Sequence, residues 1–384
     1  MSAFCPYFNR SVCRSCDLIE QDYAAQIAVK EQKIKRALSF FEERWGPFRF
    51  ESSKWSAQVE FRNRAKLSVT GSVSAPVIGL LGEADLDLGR ELLNCPIHHP
   101  LINQLLVALP DFITRYNLTP YQITQRKGEL KGLIIYYSPL SEQMYLRFIL
   151  RSKECVARLR KLAPDLQGRF ESLQCISANV QPVPHALLEG EEEIFLTERT
   201  SIDHQMGPLK LTLSPQAFVQ TNFEVATKLY ETAAKWVGEI RPKKMLELFC
   251  GQGAFSFFSA QSAGEILGIE INEDAVKSAN DSAEKLGLRH LRFEAGDADR
   301  IDRLLEVFSP DLILVNPPRR GLALALQLIE RQRPAHVIYS SCDIKTLESD
   351  LRILKSSYSL RRAQLFDMFP HTSHFETLVW LSRG

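Results

Sequence analysis

From Asn222 onward the chain alternates short apolar strands with amphipathic helices, and this regularity restricts the fold more than any other feature of the sequence. Asn222 is suited to cap a helix running through Trp236. Strands MLELF, EILGIEI, LRFEA, DLILVN and HVIYSS follow, interleaved with helices AFSFFSAQ, NEDAVKSANDSAEKLG, RIDRLLEVF, LALALQLIERQ and DIKTLESDLRIL. Such alternation predicts a parallel sheet with helices on both faces. The last two strands, LRRAQLF and ETLVWLS, are joined only by DMFPHTSHF, too short for a helical crossover. The final strand is therefore predicted to run antiparallel.

The preceding half reads differently. Residues 22–43 have helical spacing, with Ile27, Ile34, Leu38 and Phe41 near one face. AKLSVTGSV, KGLIIYYSP, MYLRFILRS and CISANVQPV carry alternation or short apolar runs typical of strands, with a helical piece, CVARLRKLA, interposed. Three units are expected: a Cys-rich segment and helix over 1–45, a central α+β domain over 46–205, and an α/β domain over 206–384. The class is α/β. Its mixed sheet, with the last strand antiparallel, is similar to the Rossmann-like fold of S-adenosylmethionine methyltransferases.

A length of 384 residues suits two or three domains. Hydrophobic residues at 45% and charged residues at 24% are ordinary for a globular protein. A net charge of +1 is unlike the strongly basic profile of a nucleic-acid coat, so contact with RNA or DNA must come from local patches. The start lacks a basic stretch followed by an apolar one, and no apolar run reaches the length of a membrane span. A cytoplasmic monomer with reduced thiols and no membrane partner is expected. Its eight cysteines then read as metal ligands, reactive thiols or packing.

Phe249-Cys250-Gly251-Gln252-Gly253-Ala254 follows the first strand of the α/β unit. Alternate glycines allow a sharp turn into a helix and close approach of a ligand. Glu270 ends the next strand about 20 residues on, where an acid can hold two ribose hydroxyls. The third glycine of a dinucleotide fingerprint is replaced by Ser256. A pyrophosphate would want that close helix approach, whereas S-adenosylmethionine has no phosphate. Asp297, after the third strand, can accept from an adenine amino group or simply close a turn. Asn316-Pro317-Pro318 fixes an amide at the ligand-binding edge of the sheet.

Cys342 lies past the fifth strand on the same edge, and Asp343 can cap the next helix. A helix N-terminus favours thiolate, but the Asp343 charge opposes it. Glu376 enters the last strand. It can take a proton from a group at that edge, although its spacing alone reads as a surface strand residue.

NPPRRG at 316–321, SSC at 340–342, LFDMFPHTSHFE at 365–376 and FVQTN at 218–222 together resemble the RNA uracil-C5 methyltransferases. With the N-terminal cysteines added, the likeness extends over the whole chain and is nearest to members acting on bacterial 23S ribosomal RNA. It implies methyl transfer from S-adenosylmethionine to C5 of a uracil in that RNA. It implies Cys342 as nucleophile and Glu376 as base. It implies cofactor contacts at Gln220, Phe249, Glu270 and Asn316, with Asp297 on the adenine side. Many relatives have Asp where Asn316 stands; the amide still offers a carbonyl oxygen.

Cys5, Cys13 and Cys16 with the distant Cys95 supply four thiolates. The residues alone admit zinc or an iron–sulfur cluster, zinc being the simpler. The resemblance implies a [4Fe–4S] cluster. Two basic runs, Phe61–Lys66 and Gln125–Gly132, are candidates for phosphate contact or solvated faces, and Arg319 and Arg320 for orienting the target base. Two other readings stay open on the residues. One is an exocyclic-amine methyltransferase acting on adenine or guanine, which needs no thiol. The other is a non-enzymatic RNA-binding protein with a relic domain.

Overall fold

The computed structural model describes residues 4–82, 87–183, 189–207, 209–296 and 307–384. The chain begins with α1 (Pro6–Asn9), α2 (Tyr23–Leu38), α3 (Glu42–Trp45) and the short strand β1 (Arg49–Phe50). A central unit follows: β2 (Arg64–Ser72), β3 (Ala75–Leu81), β4 (Gly89–Glu91), α4 (Pro100–Arg115), β5 (Leu130–Ser138), β6 (Gln143–Leu150), α5 (Val156–Arg169), β7 (Leu173–Val180) and β8 (Glu192–Phe195). Its strands lie in the order β4-β3-β2-β5-β6-β7-β8. Only β6 and β7 pair in parallel, and α5 connects them.

Alternation places the two faces of β5 in different cores. Leu133, Ile135 and Tyr137 pack with α4 and α5. Ile134 and Tyr136 pack with the hairpin β9 (Ile202–Met206) and β10 (Leu209–Leu213). Buried on both sides, β5 reads in the sequence as one apolar run. The sequence pattern does not single out α4, because Pro110 sits inside it and normally breaks a helix.

The C-terminal unit comprises α6 (Phe223–Ile240), β11 (Lys244–Leu248), α7 (Ala254–Ser259), β12 (Glu265–Glu270), α8 (Glu273–Lys285), β13 (Leu291–Ala295), β14 (Leu312–Val315), α9 (Leu324–Gln332), β15 (His336–Ser341), α10 (Ile344–Leu354), β16 (Tyr358–Phe366) and β17 (Glu376–Arg383). The strand order is β1-β16-β17-β15-β14-β11-β12-β13. As the short connection requires, β17 is antiparallel to both neighbours. Asn222, Asn272 and Asp343 each cap the following helix through the side chain. Most of the helix expected at RIDRLLEVF lies outside the described residues.

The N-terminal segment divides between the two units. Cys5, Tyr7, Phe8 and Ile19 pack into the central core. Helix α2 instead buries Ile27, Ile34 and Leu38 against the C-terminal sheet, on the face shared with α9 and α10. Helices α6, α7 and α8 cover the opposite face. Ile34, Leu38 and Phe41 have no exposed surface. Each contributes roughly 1.5–3 kcal/mol, so the helix is anchored to this sheet. Strand β1 extends the same sheet by pairing with β16.

Candidate active site

Beyond β11 the backbone enters the left-handed region at Phe249 (φ 60°), Gly251 (φ 54°) and Gly253 (φ 78°). A Cβ at Gly253 would stand 2.4 Å from the Phe293 ring, so glycine is required there. The Gly251 N–H donates to Glu270 Oε2 at 3.0 Å. Glu270 Oε1 accepts from the N–H groups of Ile271 at 2.9 Å and Asn272 at 3.1 Å. This carboxylate thereby ties the glycine turn to the end of β12.

Gln220, Phe249 and Asn316 line one cleft beside that turn. The amide of Gln220 comes from the linker ahead of α6, and that of Asn316 from the end of β14. Tyr136 reaches the same cleft from the central unit and His204 from the β9–β10 hairpin, and Glu247 and Tyr230 form part of its wall. Sequence reasoning misses these four. A Glu inside the apolar strand MLELF is the one available signal. Burial pushes the Glu247 carboxyl up to about 8, while donation from the Ser256 hydroxyl and from its N–H, at 2.9 Å, acts in the other direction. Asp297 lies outside the described residues.

Cys342 follows β15 directly, and Glu376 is the first residue of β17. Ser341 pairs with Thr377 in the antiparallel ladder, which brings Cys342 and Glu376 to the same end. Glu376 is buried, at 2% exposure, rather than on the surface as its spacing suggests. The reason is topological: β17 inserts between β15 and β16 instead of forming an edge. Burial raises its carboxyl to about 7, and donation from Ser340 Oγ at 2.6 Å partly offsets this.

The Cys342 thiol is raised by burial and by the Glu376 charge, and lowered by the hydrogen bond and charge of Arg319. Asp343 is occupied as a cap, accepting from Lys345 N at 2.9 Å and Thr346 N at 3.1 Å. Burial and the charges of Glu247 and Glu376 raise the Tyr230 hydroxyl, which links the cleft wall to Glu376.

Cys5, Cys13, Cys16 and Cys95 converge on one hollow that Phe8 and Leu92 also line. All four are free thiols. Burial and the other three cysteines raise Cys16 to about 12, and burial raises Cys95 to about 11. Among the described residues no three His, Cys, Asp or Glu side chains are grouped so as to hold a metal ion. Cys155, Cys175 and Cys250 are buried as packing residues.

The basic run at 61–66 is less open than its sequence suggests. Arg64 and Lys66 approach Glu189 at 3.9 and 2.9 Å, and Asn63 is buried, accepting from Phe223 N at 3.1 Å. In the second run Arg126 and Lys127 are exposed, but Lys131 is buried and donates to the carbonyls of Gln181 at 3.0 Å and Val183 at 2.7 Å. No helix among the described residues is long and apolar enough to cross a membrane.

A family model described as tRNA (Uracil-5-)-methyltransferase matches residues 191–384. A 23S rRNA (uracil(747)-C(5))-methyltransferase of Pectobacterium atrosepticum is 40% identical over 99% of this chain and 100% of its own length. The like-named protein of Shewanella amazonensis is 40% identical over 98% of this chain and 97% of its own. The crystal structure of a Pyrococcus abyssi tRNA (uracil-54, C5)-methyltransferase with S-adenosyl-L-homocysteine shares the fold, with TM-score 0.78 and 23% identity across 96% of this chain and 85% of that one. With a family match over half the chain and full-length relatives at this identity, the chain belongs to the RNA uracil-C5 methyltransferase family.

Proposed function

We propose that the protein transfers a methyl group from S-adenosylmethionine to C5 of one uracil in 23S ribosomal RNA, the position numbered 747 in the names of its relatives. The observation that carries this reading is the shared position of the Cys342 thiol, the Arg319 guanidinium and the buried Glu376 carboxyl at one sheet edge. An exocyclic-amine methyltransferase needs no such thiol.

Uracil C5 is a weak nucleophile. Addition of the Cys342 thiolate to C6 moves the ring electron pair toward O4 and makes C5 nucleophilic. C5 then attacks the sulfonium methyl in line, the methyl–sulfur bond breaks, and S-adenosylhomocysteine leaves with that electron pair. Glu376 takes the C5 proton. The electrons of that C–H bond restore the C5–C6 double bond and expel the thiolate. Arg319 acts through the thiol by favouring its ionised form. A uracil inside folded RNA must leave its stack to reach this edge.

Gln220, Phe249 and Asn316 form the cofactor cleft in this reading, Glu270 holds the ribose, and Asp297 the adenine. Cys5, Cys13, Cys16 and Cys95 hold a [4Fe–4S] cluster. Four thiols around one shared hollow can serve a cluster or zinc, and the likeness to the family favours the cluster. Such a group, when bound, would supply the cationic iron that offsets four thiolates, two of them buried, and would fix the segment to the central unit. The setting is the cytoplasm, where ribosomal RNA and reduced thiols coexist.

The test is to map 5-methyluridine in 23S ribosomal RNA from cells lacking the protein. Loss at one position, restored by the wild type and not by Cys342→Ala, supports the reading. An unchanged 5-methyluridine pattern overturns it.

A further inference from the structure

We propose that Asp350 is a positioning residue for the nucleophile: it pins the turn that carries Arg319 to the helix that starts behind Cys342, and so holds that guanidinium at the sulfur. This rests on the roles given to Cys342 and Arg319 above. Arg319 and Arg320 form the tip of a tight turn closed by Gly321 N donating to Pro318 O at 2.9 Å. Pro318, Arg319 and Arg320 are exposed, so the place of the guanidinium follows from where the backbone of the turn sits.

The exit of that turn is fastened at one carboxylate oxygen. Asp350 lies on α10, and its Oδ2 accepts from Leu322 N at 2.9 Å and from the Tyr339 hydroxyl at 2.8 Å. Leu322 and Tyr339 have no exposed surface, so water cannot readily replace Asp350 as their partner. Gly321 lies against the same oxygen. Its backbone is left-handed (φ 81°), and a Cβ there would stand 2.8 Å from Asp350 Oδ2 and 3.4 Å from Thr346 Cβ. Thr346 and Asp350 are one turn apart, so the loop rests on one face of α10. Asp343 caps that helix directly after Cys342, and Tyr339 lies on β15, which runs into Cys342. Asp350 thus joins the Arg319 turn to both elements that flank the nucleophile.

A long side chain on a solvated turn loses much of what an ion pair gains to the entropy of holding it in place. A fixed backbone beneath it removes part of that cost before the RNA arrives. Arg319 opposes burial and the Glu376 charge at the thiol, and it can do so only while the turn keeps it there. Asp350 therefore acts on the sulfur through Arg319.

The test uses full-length protein and a transcript of 23S ribosomal RNA, in single-turnover reactions that separate adduct formation from adduct decay across a range of pH. Asp350→Ala is expected to slow adduct formation by about 10–10²-fold, the scale of a small displacement at a reacting centre, and to move its pH dependence upward. Adduct decay and S-adenosylhomocysteine binding are expected to stay unchanged. Gly321→Ala presses on the same oxygen from the other side and is expected to act alike, so either folded variant suffices. Both donors share one oxygen, so Asp350→Asn is expected to restore near-normal formation. In an Arg319→Gln background neither Asp350→Ala nor Gly321→Ala should slow formation further. Equal slowing with and without Arg319, equal slowing of formation and decay, or wild-type formation in a folded variant overturns this inference alone. A wild type that forms no covalent adduct overturns the nucleophile reading and this inference with it.

Discussion

The Ser340 hydroxyl donates to Glu376 Oε1 at 2.6 Å between adjacent strands, in a position from which solvent is excluded. Two effects act on that carboxyl in opposite directions. Burial favours the neutral acid, and the hydrogen bond favours the ion. Burial prevails, and the carboxyl sits at about 7 instead of 4.5. A group divided between its two forms near neutral pH is suited to take a proton and release it again.

The first consequence is a pH profile. If Glu376 takes the C5 proton, decay of the covalent RNA adduct should rise about tenfold per pH unit below roughly 7 and level off above it. Single-turnover reactions quenched with denaturant and resolved as protein–RNA adduct measure this. Glu376→Gln should remove the limb, accumulate adduct and slow turnover by about 10²–10⁴-fold. A profile flat through this range would assign the proton to another group.

Ser340→Ala separates the hydrogen bond from burial. Without the donor, the ionised carboxylate loses its partner and the folded-state pKa rises further. The limb should move to higher pH, with slower adduct decay near neutrality and recovery in alkali. A shift toward acid would mean that Ser340 serves the neutral form instead.

The same shift appears in stability. Glu376 has a folded pKa of about 7, above its unfolded value of 4.5, so the native state binds more protons between these limits. Its contribution to stability falls as pH rises through that window and stays low above it. Glu376→Gln, neutral throughout, should match the wild type in acid and exceed it in mild alkali by about 3 kcal/mol, taking roughly 1.4 kcal/mol per pKa unit. Denaturant melts at the two pH values provide the comparison, and a Gln variant less stable in alkali would contradict the burial argument.

The alternation of strands and helices in the C-terminal unit and the antiparallel run of its last strand were legible because helix and strand periods differ and because nine residues cannot cross a sheet. That Cys342 and Glu376 lie near one edge of the sheet followed from the same reasoning. The burial of Glu376 was not legible. It depends on β17 entering between β15 and β16, a fact of topology that leaves no mark on the local pattern. The fate of Arg62 was hidden for a similar reason. In sequence it is one of three cations in six residues, and only the pairing of 60–62 with 96–99 sets its backbone beside the segment that follows Cys95. Helix α2 pointed correctly to an apolar face, but nothing in that face says which of two sheets it covers.

Arg319 offers a test of the nucleophile that leaves the base intact. Its hydrogen bond and charge lower the Cys342 thiol against burial and the Glu376 carboxylate. Arg319→Gln should leave less thiolate, slow adduct formation and move its pH dependence upward, while decay of preformed adduct remains unchanged. Binding of S-adenosylhomocysteine, measured by calorimetry, should not change. Equal slowing of both steps would mean that Arg319 holds the RNA rather than the thiol.

Lys30 and Asp367 form an ion pair in which both side chains are fully buried, at 2.5 Å. Tyr23 OH donates to the other Asp367 oxygen at 2.7 Å, and Lys30 also donates to Phe369 O at 3.2 Å. These bonds fasten α2 to the loop that leads from β16 to Glu376. The cysteine-bearing segment reinforces the loop, since Leu18 N donates to His371 O at 2.9 Å and Ser373 N to Asp17 Oδ1 at 2.8 Å. Lys30→Met would leave a carboxylate buried without its cation, which costs about 3–5 kcal/mol. Adding Asp367→Leu removes the stranded charge and should recover most of that loss, because a buried pair adds little over a well-packed apolar one. Unfolding in urea measures both variants. If the single substitution costs less than about 1 kcal/mol, as an exposed pair would, water must reach Asp367 and the pair does not anchor the loop.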